Sequence, residues 1–247
     1  MKHTEAGLFA YFWPVKKHAL LTLALVFIVL LFDQALKIYV KTHFRLGEEY
    51  HVSGDWFIIH FTENPGMAFG LELGGDWGKM ALSIFRLLAV TAIGYAGWLQ
   101  IKKGTSRLML VCIALIFAGA LGNIIDSCFY GMMFSESDYF EAAKFMPAEG
   151  GYAGFLHGRV VDMFYFPVIE GHFPGWFPFW GGEEFIFFRP VFNVADASIS
   201  VGVILLIIFQ KRLFGKKKET KEEKAEEKPA ETPAPETPQD PTAEPAQ

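Results

Sequence analysis

The chain is 247 residues long with a formal net charge of −5; 52% of its residues are hydrophobic and 16% aromatic. Its mean hydropathy is +0.26 despite an almost wholly polar stretch from about Gly215 onwards. That balance excludes an ordinary water-soluble globule and points to a polytopic membrane protein with a polar tail. The charge comes largely from the tail, and no nucleic-acid partner is expected. Two cysteines, Cys112 within an apolar run and Cys128 just beyond it, support neither a disulfide framework nor a metal site.

A helix needs about 20 mainly apolar residues to cross the hydrocarbon, and four segments qualify: about 18–40, 79–101, 107–126 and 193–210. The first is too long for a signal peptide's apolar core, lacks a small-residue cleavage site and leads into Asp33 and Lys37, so it is expected to remain as a span. Basic residues set the orientation. Lys16 and Lys17 precede the first span, Lys102, Lys103 and Arg107 fill the turn between the second and third, and Lys211, Arg212 and Lys216 to Lys218 follow the fourth. The expected layout has a cytoplasmic N-terminus over 1–17, a membrane domain over 18–214, and a disordered cytoplasmic tail over 215–247. External segments then fall at about 41–78 and 127–192.

In the first external segment Tyr50, Val52, Trp56, Ile58, His60 and Phe61 surround Ser53-Gly54-Asp55, the pattern of a small hairpin or sheet. Asn64-Pro65-Gly66 is a turn signal. In the second, about 132–157 is more polar, with room for a short helix. Its later half is too rich in Phe and Trp to be disordered, and too broken by Pro167, Pro174, Pro178 and Pro190 to span. It reads as an aromatic loop lying on the outer leaflet.

The chemistry-bearing residues stand at the ends of the spans. Asp33/Gln34, Asn123/Asp126 and Asn193/Asp196 would all lie on the outer side, where an ionisable group at membrane depth costs roughly 2.5–3.5 kcal/mol and marks a functional site. Asn123 and Asp126 are three apart and share a helical face, as do Asn193 and Asp196; Asp33 and Lys37, four apart, can form an ion pair that fixes helix packing. Gly119 and Gly122 allow close helix approach. Taken singly, Asn64 reads as a turn residue, Asp162 as a turn cap and Asp196 as the cap of the fourth helix. A cluster of outer acids would also suit a transporter or proton relay, but that reading predicts polar groups along a path to the cytoplasm, and the inner halves of the spans are nearly all apolar. A non-catalytic scaffold leaves the ordered blocks below unexplained.

Five blocks stand in order: Asp33-Gln34-x-x-Lys37, Asn64-x-Gly66-x-Ala68-Phe69, Gly122-Asn123-x-x-Asp126, Val160-Val161-Asp162 and Phe192-Asn193-x-Ala195-Asp196. The series resembles the lipoprotein signal peptidases, the signal peptidase II family, over nearly all of 18–210 apart from the stretch near 132–157. The resemblance implies an all-α membrane aspartyl endopeptidase with four transmembrane helices, a small external β element and an aromatic interfacial loop. It would work as a monomer among membrane lipids in the bacterial inner membrane, both termini cytoplasmic, active site at the outer face, with no cofactor or metal. Its substrate would be a prolipoprotein whose cysteine bears diacylglycerol, cut just before that cysteine. Asp162 and Asp196 would be the catalytic pair; Asn64, Gly66, Asn123, Asp126, Asn193 and Ala195 would bind substrate or support the site. Two carboxylates at close range cannot both ionise easily, so one can activate water while the protonated one polarises the scissile carbonyl. One departure stands out: the family commonly carries arginine directly after the Asp126 position, and this chain has Ser127. Arg159 or Arg189 would then balance Asp126, or Asp126 would be neutral. The long spacing from Asp162 to Asp196 implies an enlarged external loop.

Overall fold

The computed structural model describes residues 3–65, 75–167, 169–187 and 190–214; Gly66, Ala68, Phe69, Arg189 and the tail lie outside them. The chain divides into two units, Met1–Phe209 and Gln210–Gln247. Of the second, a short helix over Gln210–Phe214 is described.

Helix α1 covers His3–His43, and α2 covers Gly75–Lys102. Helix α3 (Arg107–Ile125) starts at Ser106, whose hydroxyl accepts the Met109 N–H, and runs on through a π-helical turn, Asp126–Tyr130, into a single turn α4, Gly131–Met133. Among the described residues, three helical stretches are long and apolar enough to cross a membrane: Lys17–His43, Met80–Lys102 and Arg107–Met133. Leu20, Leu23 and Phe27 on α1 are 64–70% exposed, as lipid-facing side chains would be. The fourth apolar helix, α5, is shorter than the expected 193–210: it covers Val194–Ile208 and ends at Phe209, which leaves helical geometry. Its 15 residues rise about 22 Å against a hydrocarbon thickness of about 30 Å.

Helix α3 packs against α1, α2 and α5. Small residues permit this. A Cβ on Gly119 would fall 2.2 Å from the Ala195 carbonyl oxygen, and one on Gly122 would fall 2.7 Å from Asp33 Oδ2. Glycine therefore brings the motif-bearing ends of α1, α3 and α5 into one place.

Outside the helices, β1 (Glu49–Ser53) and β2 (Phe57–Asn64) form the predicted hairpin, and the sheet has a third strand, β3 (Val160–Tyr165), antiparallel to β2. The sequence suggests a loop around Asp162; it is a strand. Val160, Val161, Asp162 and Met163 are all buried, so the strand lacks the alternation that would reveal it. The aromatic stretch is likewise a hairpin rather than an irregular loop, with β4 (Ile169–His172) paired to β5 (Glu184–Phe187) in a sheet of its own. The stretch 132–157, which has room for a short helix, carries only the end of α4, at Met133. Beyond it the segment is irregular, fastened by a Phe134–Phe145 bridge and by the Ser135 N–H donating to the Lys144 carbonyl at 3.0 Å.

Candidate active site

Lys37 is the hub of the buried polar residues. It is fully buried, and an ammonium there needs all three of its protons accepted. Asp33 lies 3.0 Å away, one turn back on the same helix; Asp126 is 2.8 Å away on the π turn, and the Asn123 amide oxygen accepts at 2.8 Å. Lys37 is therefore the cation that balances Asp126. Arg159 is engaged elsewhere, with Glu63 and Glu136. Gln34 ties the carboxylates together, its amide nitrogen donating to Asp126 at 2.9 Å and Asp33 at 3.1 Å while the Tyr130 hydroxyl donates to its oxygen at 3.1 Å. Asp33 also reaches across to α5, accepting the Ala195 N–H at 2.8 Å. A carboxylate there satisfies an orphan donor and complements the positive end of the helix.

The orientation of Asn123 follows from this hub. Its oxygen faces an ammonium that can only donate, so its NH2 points away, and that group donates to Asp196 Oδ1 at 2.8 Å. Asn193 is fixed by a capping box: its side-chain oxygen accepts the Asp196 N–H at 3.0 Å, and Asp196 Oδ2 accepts the Asn193 N–H at 3.3 Å. The Asn193 NH2 then donates to Asp162 Oδ1 at 2.7 Å. Each of the two carboxylates thus has its own amide donor, oriented by groups behind it. Asp162 is buried, and its carboxyl is pushed up to about 7, first by burial and then by the charge of Asp196, with Lys37 and the Asn193 hydrogen bond pulling the other way.

The sheet carries Asp162 to this point. Thr62 stands opposite Asp162 and Asn64 opposite Val160, so Asn64 and Asp162 are diagonal neighbours on one face of the β2–β3 pair. The Val161 N–H donates to Asp126 Oδ2 at 3.3 Å, which pins β3 to the π turn. The structure therefore gathers Asp33, Lys37, Asn123, Asp126, Asn193 and Ala195 around Asp162 and Asp196. Asn123 and Asn193 turn their NH2 groups toward carboxylates rather than toward open space for a peptide. Gln34, named with Asp33 among the chemistry-bearing residues, takes its place in this hub. Sequence reasoning missed one participant. Arg86, part-buried on α2, interacts electrostatically with Asp196 and then Asp162. An arginine a few residues inside a span was the available signal. Among the described residues no group of three or more His, Cys, Asp or Glu is gathered as a metal cage.

Residues 25–212 match the family model for signal peptidase (SPase) II. A lipoprotein signal peptidase of Porphyromonas gingivalis is 53% identical over 200 residues, covering 78% of this chain and 86% of that protein. One from Amoebophilus asiaticus is 35% identical over 179 residues, 71% of each. A bacterial membrane enzyme with a structure solved by the in meso method is 27% identical, covering 76% of this chain and 90% of that one, with a TM-score of 0.49.

Proposed function

The chain belongs to the signal peptidase II family, and on that premise we propose that it is a membrane aspartyl peptidase that removes signal peptides from prolipoproteins with Asp162 and Asp196 as its catalytic pair. The observation that carries the assignment is the paired-amide arrangement: two carboxylates from separate elements, each receiving an N–H from a different asparagine. Both oxygens of Asp196 accept hydrogen bonds, the environment of a carboxylate. Asp162, with its carboxyl raised to about 7, holds the pair's proton at neutral pH.

In this mechanism Asp196 takes a proton from water as the water oxygen bonds to the scissile carbonyl carbon, and Asp162 gives its proton to the carbonyl oxygen. Collapse of the resulting gem-diol breaks the C–N bond: Asp162 takes back a proton from one diol hydroxyl as its C=O re-forms, and the leaving nitrogen receives the proton held by Asp196, which returns the pair to its single-proton form. Asn123 and Asn193 orient the carboxylates, Asp33, Lys37 and Asp126 support them through ion pairs, and Asn64 and Gly66 meet the substrate backbone. The cut falls before a diacylglyceryl-modified cysteine, whose lipid chains hold the scissile bond at the level of the outer leaflet. Helix α5 makes the fourth crossing with its capped end outward. Both termini are cytoplasmic, and the enzyme works as a monomer in the inner membrane. The aromatic hairpin rests on the outer leaflet.

The test is cleavage of a precursor carrying diacylglyceryl-cysteine by purified full-length protein in detergent. Asp162→Asn and Asp196→Asn should each lose about 10²–10⁴-fold in rate, and the double variant should be little worse, because the pair acts as one unit. Since Asp162 must be protonated, the wild-type rate should fall as pH rises through about 7. Substantial turnover by either folded single variant would remove the dyad assignment.

A further inference from the structure

Charges face the aspartate pair from three elements: Lys37 on α1, Asp126 at the outer end of α3, and Arg86 on α2. Lys37 and Asp126 are held to one another at 2.8 Å. Lys37 and Asp126 also act on Asp162, whereas Arg86 interacts with both aspartates, Asp196 before Asp162. Helical register places it to do so. Ser83 and Val90 lie three residues before and four after Arg86, on the same face of α2. Both are buried: the Ser83 hydroxyl donates to the Leu156 carbonyl at 3.1 Å, and Val90 packs with Ile124 and Cys128. That face looks onto the outer end of α3, where Asn123, adjacent to Ile124, donates to Asp196 at 2.8 Å. Arg86 sits part-buried between these two anchors, and a guanidinium keeps its charge at any working pH.

The position after Asp126 is closed to a cation in this chain. Ser127 is 3% exposed, its hydroxyl donates to the Asn123 carbonyl at 3.0 Å, and its own carbonyl accepts the Gly158 N–H at 2.9 Å. We propose that Arg86, supplied from α2, is the positioning cation of the Asp162–Asp196 pair, and that it holds the pair in the form carrying a single proton. The proposal rests on the reading of those two aspartates as the catalytic pair. A cation beside two carboxylates favours their ionised forms. Without it, the base ionises only at higher pH and the acid keeps its proton to higher pH, so both limbs of the pH–rate profile move the same way.

The experiment is the pH–rate profile of precursor cleavage by full-length Arg86→Gln and Arg86→Lys in detergent. Arg86→Gln should move both limbs upward by about one pH unit or more, and Arg86→Lys should return them toward the wild-type positions. Should Arg86→Gln fail to fold, adding Asp196→Asn should restore its yield, because Asp196, the member of the pair without the proton, is then neutral. Unmoved limbs in folded Arg86→Gln, or no recovery of yield in the double variant, would overturn the assignment. Inactive Asp162→Asn and Asp196→Asn alongside unmoved limbs would leave the catalytic pair standing without Arg86. Activity in either Asn variant would instead dissolve the pair itself, whatever Arg86 does.

Discussion

Lys37 and Lys41 lie one turn apart on α1, and both are fully buried, yet they hold different halves of the molecule. Lys37 meets two carboxylates and an amide, and each of those partners leads on toward Asp162 or Asp196. Lys41 meets Glu63 on β2 and donates to the Ser137 hydroxyl at 2.8 Å, with the rings of Phe134 and Tyr152 within 5.4 Å of its ammonium. Glu63 is shared with Arg159 at 3.2 Å, and the Lys41 carbonyl accepts the Ala143 N–H at 3.2 Å. The second cluster thus ties α1 and β2 to the irregular 134–159 segment. A buried lysine forces its surroundings to gather acceptors; which elements supply them decides whether the result is a reaction centre or a clasp.

The largest contrast should come from removing each ammonium in turn. Lys37→Met leaves Asp33 and Asp126 buried without their cation, and breaking a buried pair in that way costs about 3–5 kcal/mol. It should also free the Asn123 amide to flip, so cleavage per folded molecule should collapse. Lys41→Met leaves Glu63 with Arg159 and Ser137, so its cost should be nearer the roughly 1–3 kcal/mol of an unsatisfied group. Turnover per folded molecule should persist. Thermal unfolding in detergent, read beside rates normalised to folded protein, separates the two; equal loss of turnover in both would erase the division between centre and clasp.

A smaller effect is expected from packing on the Lys37 side. In Gly119→Ala the new methyl would meet the Ala195 carbonyl at 2.2 Å, so α5 must back away and carry Asp196 with it. Overpacking of this kind costs about 1–3 kcal/mol and should lower the cleavage rate. Gly154→Ala, in the segment held by the Lys41 cluster, meets nothing within 4 Å and should be close to neutral. Were the two indistinguishable in melting temperature and rate, the close approach of α3 to α5 would not be what positions the site.

Much of the Lys37 side was legible in the sequence, because acids and amides inside apolar runs stand out against them. The i,i+4 spacing of Asp33 and Lys37 and the i,i+3 spacing of Asn193 and Asp196 are local, and helical geometry turns each into a contact. The link from Lys37 to Asp126 spans 89 residues of chain and has no local signature. Strand β3 was hidden by burial of four consecutive residues, Val160–Met163. The 134–159 segment was hidden for a different reason. Its order comes from Lys41, Glu63 and Arg159, which lie outside or at the edge of it and look like ordinary surface charges in a linear reading. Arg86 passed unnoticed because its neighbours, Phe85, Leu87 and Leu88, are apolar and the run was long enough to read simply as a span.

The smallest effect on the folded protein should come from the aromatic hairpin, which belongs to the Lys37 side by its root but is held by neither charged cluster. Its root is the Phe164–Phe192 bridge, where the Phe164 N–H donates to the Phe192 carbonyl at 2.7 Å, next to the cap of α5. From Phe173 to Gly182 the tip holds five aromatic residues and no charge. Its backbone is partly satisfied from within, the Phe177 N–H donating to the Pro174 carbonyl at 2.8 Å and the Gly182 N–H to that of Phe173 at 2.9 Å. Trp176 and Phe179 are 80% and 93% exposed, so replacing both with Ser should change stability in detergent by no more than about 0.5 kcal/mol and leave detergent turnover intact. In lipid vesicles the result should differ, because aromatic side chains favour the membrane interface and the proposed substrate is anchored there. Precursor cleavage in vesicles should therefore slow for the Trp176→Ser/Phe179→Ser variant while its detergent rate holds. A variant-to-wild-type rate ratio that is the same in vesicles as in detergent would detach the hairpin from the membrane.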